Sequence, residues 1–286
     1  MRTLLLALAS LCVIASPAAA DRFALHYDAT TFGLVPIGEM AIDANLSPDG
    51  YQIDATLQSG GMLNWFERTH LTANATGAFT NGAVQWTTYD LDHYYSKKHR
   101  VIAMHAGADH TVQTQITPTY GVWGTPPTSD EQRRISRDPL STIMAMAVDV
   151  NASRRCAGDY PTFDGRWFYL LELGGGQVDH FSGGGYDGPI LKCAIAYIPV
   201  AGYERRDRGR IHIPHGEVWF ALVPDSSFGP PVRIVTPLAA GGATIRLTDW
   251  HHAQVAVGGS DTFTPAPNGA PPQPVPTTPS PSSTTR

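Results

Sequence analysis

Lysine is almost missing from this chain. Lys97, Lys98 and Lys192 are the full complement, beside six glutamates and a formal net charge of −5 over 286 residues. Without a basic footprint, a nucleic-acid backbone is a poor main partner. Charged side chains reach only 16% while apolar ones reach 42%, which sets aside an acidic disordered chain and a coiled coil. Cysteine is equally sparse, at Cys12, Cys156 and Cys193. No Cys-x-x-Cys pair, His-Glu-x-x-His run or Gly-x-Ser-x-Gly elbow occurs, and neither triple-glycine run leads into Lys-Ser/Thr and a helix. The reading therefore carries no catalytic residue, no metal ligand and no cofactor. The eleven histidines are expected to be solvated or hydrogen-bonded. Long apolar runs are missing too: Leu4 to Ile14 is about half of what a bilayer-spanning helix needs.

That short run has another use. Arg2, the apolar stretch and Ala18-Ala19-Ala20 read as a cleaved export signal, residues 1–20, ending before Asp21. Cys12 would leave with it, and no transmembrane anchor would remain. Cys156 and Cys193 then stand as an even pair in an oxidising compartment and are expected to form a disulfide. The expected location is the periplasm of a Gram-negative bacterium.

From Asp21 the dominant period is two. Phe23, Leu25 and Tyr27 alternate with Ala24, His26 and Asp28, and Tyr51, Ile53, Ala55 and Leu57 alternate with polar neighbours. Ser47-Pro48-Asp49-Gly50 supplies a turn between such runs. The pattern predicts a mainly β protein, with long antiparallel strands in a strongly curved sheet or an open, partial β-barrel. One covering α-helix is expected. Asp138 can cap it, Pro139 suits its first turn, and Leu140, Ile143, Met144, Ala147 and Val148 make one apolar stripe. Residues 21–257 read as a single domain, and 258–286, rich in Pro, Ser and Thr, as a disordered tail. The glycine-rich stretch from Gly174 to Gly188 is expected to make a flexible hairpin end.

These landmarks resemble a family of exported bacterial envelope proteins, domain-of-unknown-function family 3108 (DUF 3108). The similar features are Gly33-Leu34 to Gly38, Gly60-Gly61-Met62-Leu63, Asp138-Pro139-Leu140-Ser141 and Cys156. Phe163-Asp164-Gly165-Arg166, Cys193 before Pro199-Val200-Ala201-Gly202-Tyr203, and Pro231-Val232-Arg233-Ile234 follow in order. The resemblance implies a β-rich envelope domain and brings no reaction with it.

Two groups of residues are candidate ligand contacts. Arg205, Arg206, Arg208 and Arg210 offer forked donors to an anionic head group, and Trp65, Trp86, Trp167 and Trp219 could line a greasy concave face. The expected function is non-enzymatic: periplasmic binding or envelope maintenance, with a lipid, a lipoprotein or another envelope protein as partner. The alternatives are a scaffold making protein contacts, or a hydrolase whose site is assembled from distant strands.

Overall fold

The computed structural model describes residues 19–61, 64, 68–204, 207, 215–236 and 242–256. The leader up to residue 18 and the tail from 257 lie outside that set. Alternating polar and apolar residues give thirteen strands among the described residues. They are β1 (Ala19–Thr31), β2 (Val35–Ser47), β3 (Gly50–Ser59), β4 (Thr69–Thr80), β5 (Ala83–Tyr95), β6 (Lys98–Ala106) and β7 (Val112–Thr117). After two helices, α1 (Asp130–Ile135) and α2 (Pro139–Ser153), come β8 (Gly158–Phe163), β9 (Phe168–Gly183) and β10 (Tyr186–Ala201). β11 (Gly216–Ala221), β12 (Pro231–Thr236) and β13 (Ala243–Ala256) complete the order.

All thirteen join one antiparallel sheet, ordered β7-β6-β5-β4-β3-β2-β1-β13-β12-β11-β10-β9-β8. It does not close, since β7 and β8 remain its two edges. The expectation of an open, strongly curved sheet is met. Period-two burial does the work. Phe23, Leu25 and Tyr27 on β1, Ile42, Ala44 and Leu46 on β2, and Tyr51, Ile53 and Ala55 on β3 are buried on one face.

Across the seam the chain ties itself together before α2. The Arg137 amide donates to Pro161 O (3.0 Å), the Phe163 amide donates to Arg137 O (2.9 Å), and a parallel bridge joins Arg137 to Thr162 on β8. Toward β5, the Arg137 Nε donates to Val84 O (3.1 Å) and the Trp86 indole to Ser136 O (2.9 Å). Two consecutive residues thus link β5 to β8. The turn after β8 also leans on the opposite side: a Cβ at Gly165, where φ is +99°, would meet the Ile102 side chain at 2.9 Å. Only glycine fits there.

Helix α2 lies inside this curve, touching β3, β4 and β5 on one half of the sheet and β8 and β11 on the other. It starts where the sequence places it, with Asp138 accepting from the Ser141 amide (2.9 Å) and Pro139 in the first turn. The single-stripe expectation needs correction. Ser141, Thr142, Ala145 and Met146 are buried along with Leu140, Met144, Ala147 and Val148, while Ile143 is only partly so. The sheet wraps the helix rather than resting on one side of it. α1 was not expected. Its capping box, with the Gln132 amide bonded to Ser129 Oγ and the Ser129 amide to Gln132 Oε1, starts this six-residue helix.

The first triple-glycine run is not a hairpin end either. Gly174, Gly175 and Gly176 lie within β9, opposite a register shift in β10 between Lys192 and Ala194, and the turn comes later at Gly184-Gly185. Positive φ at Gly175 and Gly176 (+72° and +123°) lets the strand bulge past Cys156.

Cys156 and Cys193 are disulfide-bonded as expected, with Cα atoms 5.4 Å apart, fixing the segment after α2 onto β10. The loop closed is 37 residues long. Replacing both with alanine is expected to cost about 3–4 kcal/mol, read as a lower urea midpoint under non-reducing conditions.

The capping carboxylate carries a second test. Asp138 is fully buried, one of its oxygens has no protein partner, and burial pushes its pKa up from 3.8 to about 6 against the opposing pull of the helix amides. The folded state therefore holds this proton more tightly than the unfolded chain does. The resulting stability is fully present below about pH 4 and is lost as pH rises through about 6, a swing of order 3 kcal/mol. In Asp138→Asn, which keeps a cap acceptor, thermal melts from pH 4 to 7 are expected to show a shallower decline than the parent.

Candidate functional site

Strand directions sort the connections into two ends. At one, here the helix end, lie the turns 48–49, 81–82, 107–111 and 184–185 and the connection 222–230. The opposite end carries the turn 32–34, the β3–β4 connection, the turn 96–97, the start of the β7–α1 connection and the turn 164–167. A cleft of about 780 Å³ opens at the helix end, where α2 finishes. Its apolar wall is Leu46 from β2, Pro48 from the β2–β3 turn, Phe79 from β4, Val148 and Ala152 from α2, and Pro224. Asp21, Asn151, Arg154 and Ser226 make its polar side.

The cleft's frame is rigid for identifiable reasons. The Asn151 amide donates to Val223 O (3.0 Å) and Ser226 O (2.7 Å), and its carbonyl accepts from the Val223 amide (2.9 Å). The 223–228 segment is thereby bolted to the last turn of the helix. Gly229 is held so close that a Cβ would fall 2.2 Å from Ala221 O. Arg154 ends the helix in the left-handed region (φ +56°), leaving its side chain exposed at the mouth. Asp21 faces His252 (3.3 Å), whose ring stacks on Phe23 at 4.2 Å. Volume, apolar wall and polar rim all fall within the range of small-molecule sites.

A second depression, about 570 Å³, lies on the polar face of β1 to β6 and is lined by Arg22, His26, Asp43, Asn45, Asp54, Asn74, Asp90 and Asp92. Burial raises the Asp43 pKa, with Asp54 adding to the rise and His26 opposing it. The Asn74 amide already donates to Asp54 (2.6 Å). Among the described residues no group of three or more His, Cys, Asp and Glu is placed to hold a metal. Histidines pair instead with single aspartates: His99 with Asp92 (2.8 Å), His180 with Asp187 (2.7 Å) and His251 with Asp249 (3.0 Å).

Of the four expected tryptophans, the three described ones do not assemble. Trp65 lies outside the described residues, as do Arg205, Arg206, Arg208 and Arg210. Trp86 packs against the core and spends its N–H on the seam. Trp219, on β11, sits within cation–π distance of Lys192 (4.2 Å) and Arg233 (4.6 Å) and donates to Glu217. Trp167 stacks on Tyr203 (5.4 Å) beside a cluster that sequence reasoning missed. There Arg100 and Arg166 lie 3.7 and 4.8 Å from the Tyr120 ring centre, and Arg166 is paired with Glu204 at 2.9 Å. Asp164 accepts from the Arg166 and Trp167 amides, and burial raises its pKa. Arg100 and Arg166 come together across the seam from β6 and the β8–β9 turn, a proximity that no linear spacing encodes.

No family model matches the chain, and no curated protein matches it. Among solved structures it is similar to the crystal structure of a beta-barrel-like protein of domain of unknown function DUF1849 from Brucella abortus. Identity is 9% and the TM-score 0.46, over 82% of this chain and 98% of that one. The expected membership of DUF 3108 is overturned, since no family model matches the chain. The motifs behind that expectation are short turn and cap signals. Any long antiparallel sheet with one capped helix can carry them.

Because the Trp86 indole serves the seam, Trp86→Phe is expected to cost about 1 kcal/mol in chemical denaturation through one lost hydrogen bond. Its ligand binding should match that of the parent chain.

Proposed function

We propose that this chain is a non-enzymatic binding protein of the bacterial cell envelope, exported to the periplasm, and that its helix-end cleft receives the apolar part of an amphiphilic guest. The cleft itself carries the reading. Six apolar side chains wall it, while Arg154 and Ser226 offer polar groups at its edge. An acyl chain would shed water against Phe79, Val148 and Leu46, and its head would remain at the polar side. This places the guest at the rim of the curve, since α2 occupies the inner face that the sequence alone offers for it. The Cys156–Cys193 bridge fits an oxidising compartment, and no helix among the described residues is long and apolar enough to cross a membrane.

Ala152 is exposed on the last turn of α2 and lines the cleft, so Ala152→Trp fills the space without touching the core. Titration with a fluorescent long-chain fatty acid is expected to saturate on the parent and to weaken roughly tenfold or more in the variant, with unchanged melting. Equal binding by the two chains, or none by the parent, would remove the proposal.

A further inference from the structure

Two-residue hairpin turns in a twisted sheet need positive φ at both central positions, which is why Asn-Gly is favoured there. The β4–β5 turn at the helix end obeys this, with Asn81 at +52° and Gly82 at +78°. At the opposite end, the three-residue β1–β2 loop opens with the same pair of angles, Phe32 at +49° and Gly33 at +74°, closed by the Leu34 amide on Thr31 O (3.2 Å). A bulky aromatic in the left-handed region is an outlier. The molecule gets no packing in return, for Phe32 is 63% exposed and Leu34 87%. A local rule is broken to hold two apolar side chains out in water, a pattern that belongs to functional positions.

Three neighbouring connections of this rim are basic, while Asp28 and Glu39 stand just behind the β1–β2 turn and Asp164, Glu204 and Asp207 lie on other connections of the same end. In sheet order, the β1–β2 turn is followed by the β3–β4 connection with exposed Arg68, and then by the β5–β6 turn with exposed Lys97 and Lys98. Two of the three lysines in the chain are therefore side by side on one turn. Beyond β7 on the same side, Trp123 is 40% exposed. The described residues of these three connections include no carboxylate. The helix-end turns of the same strands reverse the pattern, offering Asp49 and Asp109 and neither lysine nor arginine.

We propose that this rim docks on the surface of an anionic phospholipid bilayer. Phe32, Leu34 and Trp123 enter the boundary between head groups and acyl chains, while Arg68, Lys97 and Lys98 face lipid phosphates. Charge selects the occupant, because an uncharged apolar partner would desolvate Arg68 and Lys97 without supplying a counter-charge. The inference stands apart from the cleft, which lies at the other end of the strands.

Flotation of the full chain with phosphatidylethanolamine–phosphatidylglycerol vesicles, against phosphatidylcholine vesicles, tests it. Binding is expected on the anionic vesicles only, weakening at high salt. Phe32→Asn installs the favoured Asn-Gly turn, so its melting temperature should be equal or about 1–2 °C higher while vesicle binding falls roughly tenfold. Lys97→Gln with Lys98→Gln should lower binding and flatten its salt dependence. No binding to anionic vesicles, or binding that survives Phe32→Asn undiminished in a folded variant, would overturn the proposal. Such results would leave the fatty-acid titration of the cleft unaffected.

Discussion

Helix α2 carries three buried polar side chains into the curve of the sheet, and each finds a partner in a different part of it. Ser141 Oγ accepts from the Tyr51 hydroxyl on β3 (2.7 Å), Thr142 pairs with Thr162 on β8 (3.0 Å), and Asn151 holds the 223–228 segment. Left unpaired in an apolar interior, each would cost about 1–3 kcal/mol. The helix is thus free to sit at one rotation and one depth only. Met144, Ala147 and Val150 follow into the core from that placement. The apolar area they bury gives the main stabilising force, and the polar bonds give its uniqueness.

The open seam depends on the same placement. β7 and β8 are edges, and unpaired strand edges invite association with other chains. Here the residues just before α2 cover part of that liability by bonding to β8 with their backbone and to β5 through side chain and indole. Asp138 follows immediately and is wholly buried. Seam closure and helix start are one structural event. A cap with a raised pKa survives there because the position is over-determined by its neighbours.

Sequence alone made the sheet legible because period two is a local signal, repeated at Phe23-Leu25-Tyr27 and again at Tyr51-Ile53-Ala55. Asp138-Pro139 and the Cys156–Cys193 pair were legible for the same reason: each needs only nearby residues or a count. What failed needed register. Ser141, Thr142 and Ala145 fall outside the expected apolar stripe of α2, and nothing in their spacing tells that β3 and β8 will enclose the helix. Trp86 and Trp219 share hydrophobicity but stand on β5 and β11, far apart in the sheet order, so grouping them by type could not group them in space. Ser129-x-x-Gln132 was a usable signal for α1 that the charged surroundings obscured. The Phe32 turn was hidden because Phe-Gly is no turn signature by itself; its backbone angles make it one.

Strand length then sets how the two ends relate. β2 spans Val35–Ser47, 13 residues, and at about 3.3 Å per residue it separates the Phe32–Leu34 turn from the cleft wall at Leu46 by up to roughly 40 Å. That exceeds the thickness of a bilayer's hydrocarbon core, about 30 Å. A molecule resting on its basic, apolar rim would hold the cleft in the aqueous phase, facing away from the lipid. A guest would then arrive from solution or from another envelope protein, rather than directly out of the membrane beneath. Under that geometry Asp49 and Asp109, on helix-end turns of the same strands, oppose settling of that side on an anionic surface, against the pull of Arg154 at the cleft mouth. The asymmetry of two sets of turns on the same strands favours the Phe32 rim over the helix end for such a contact.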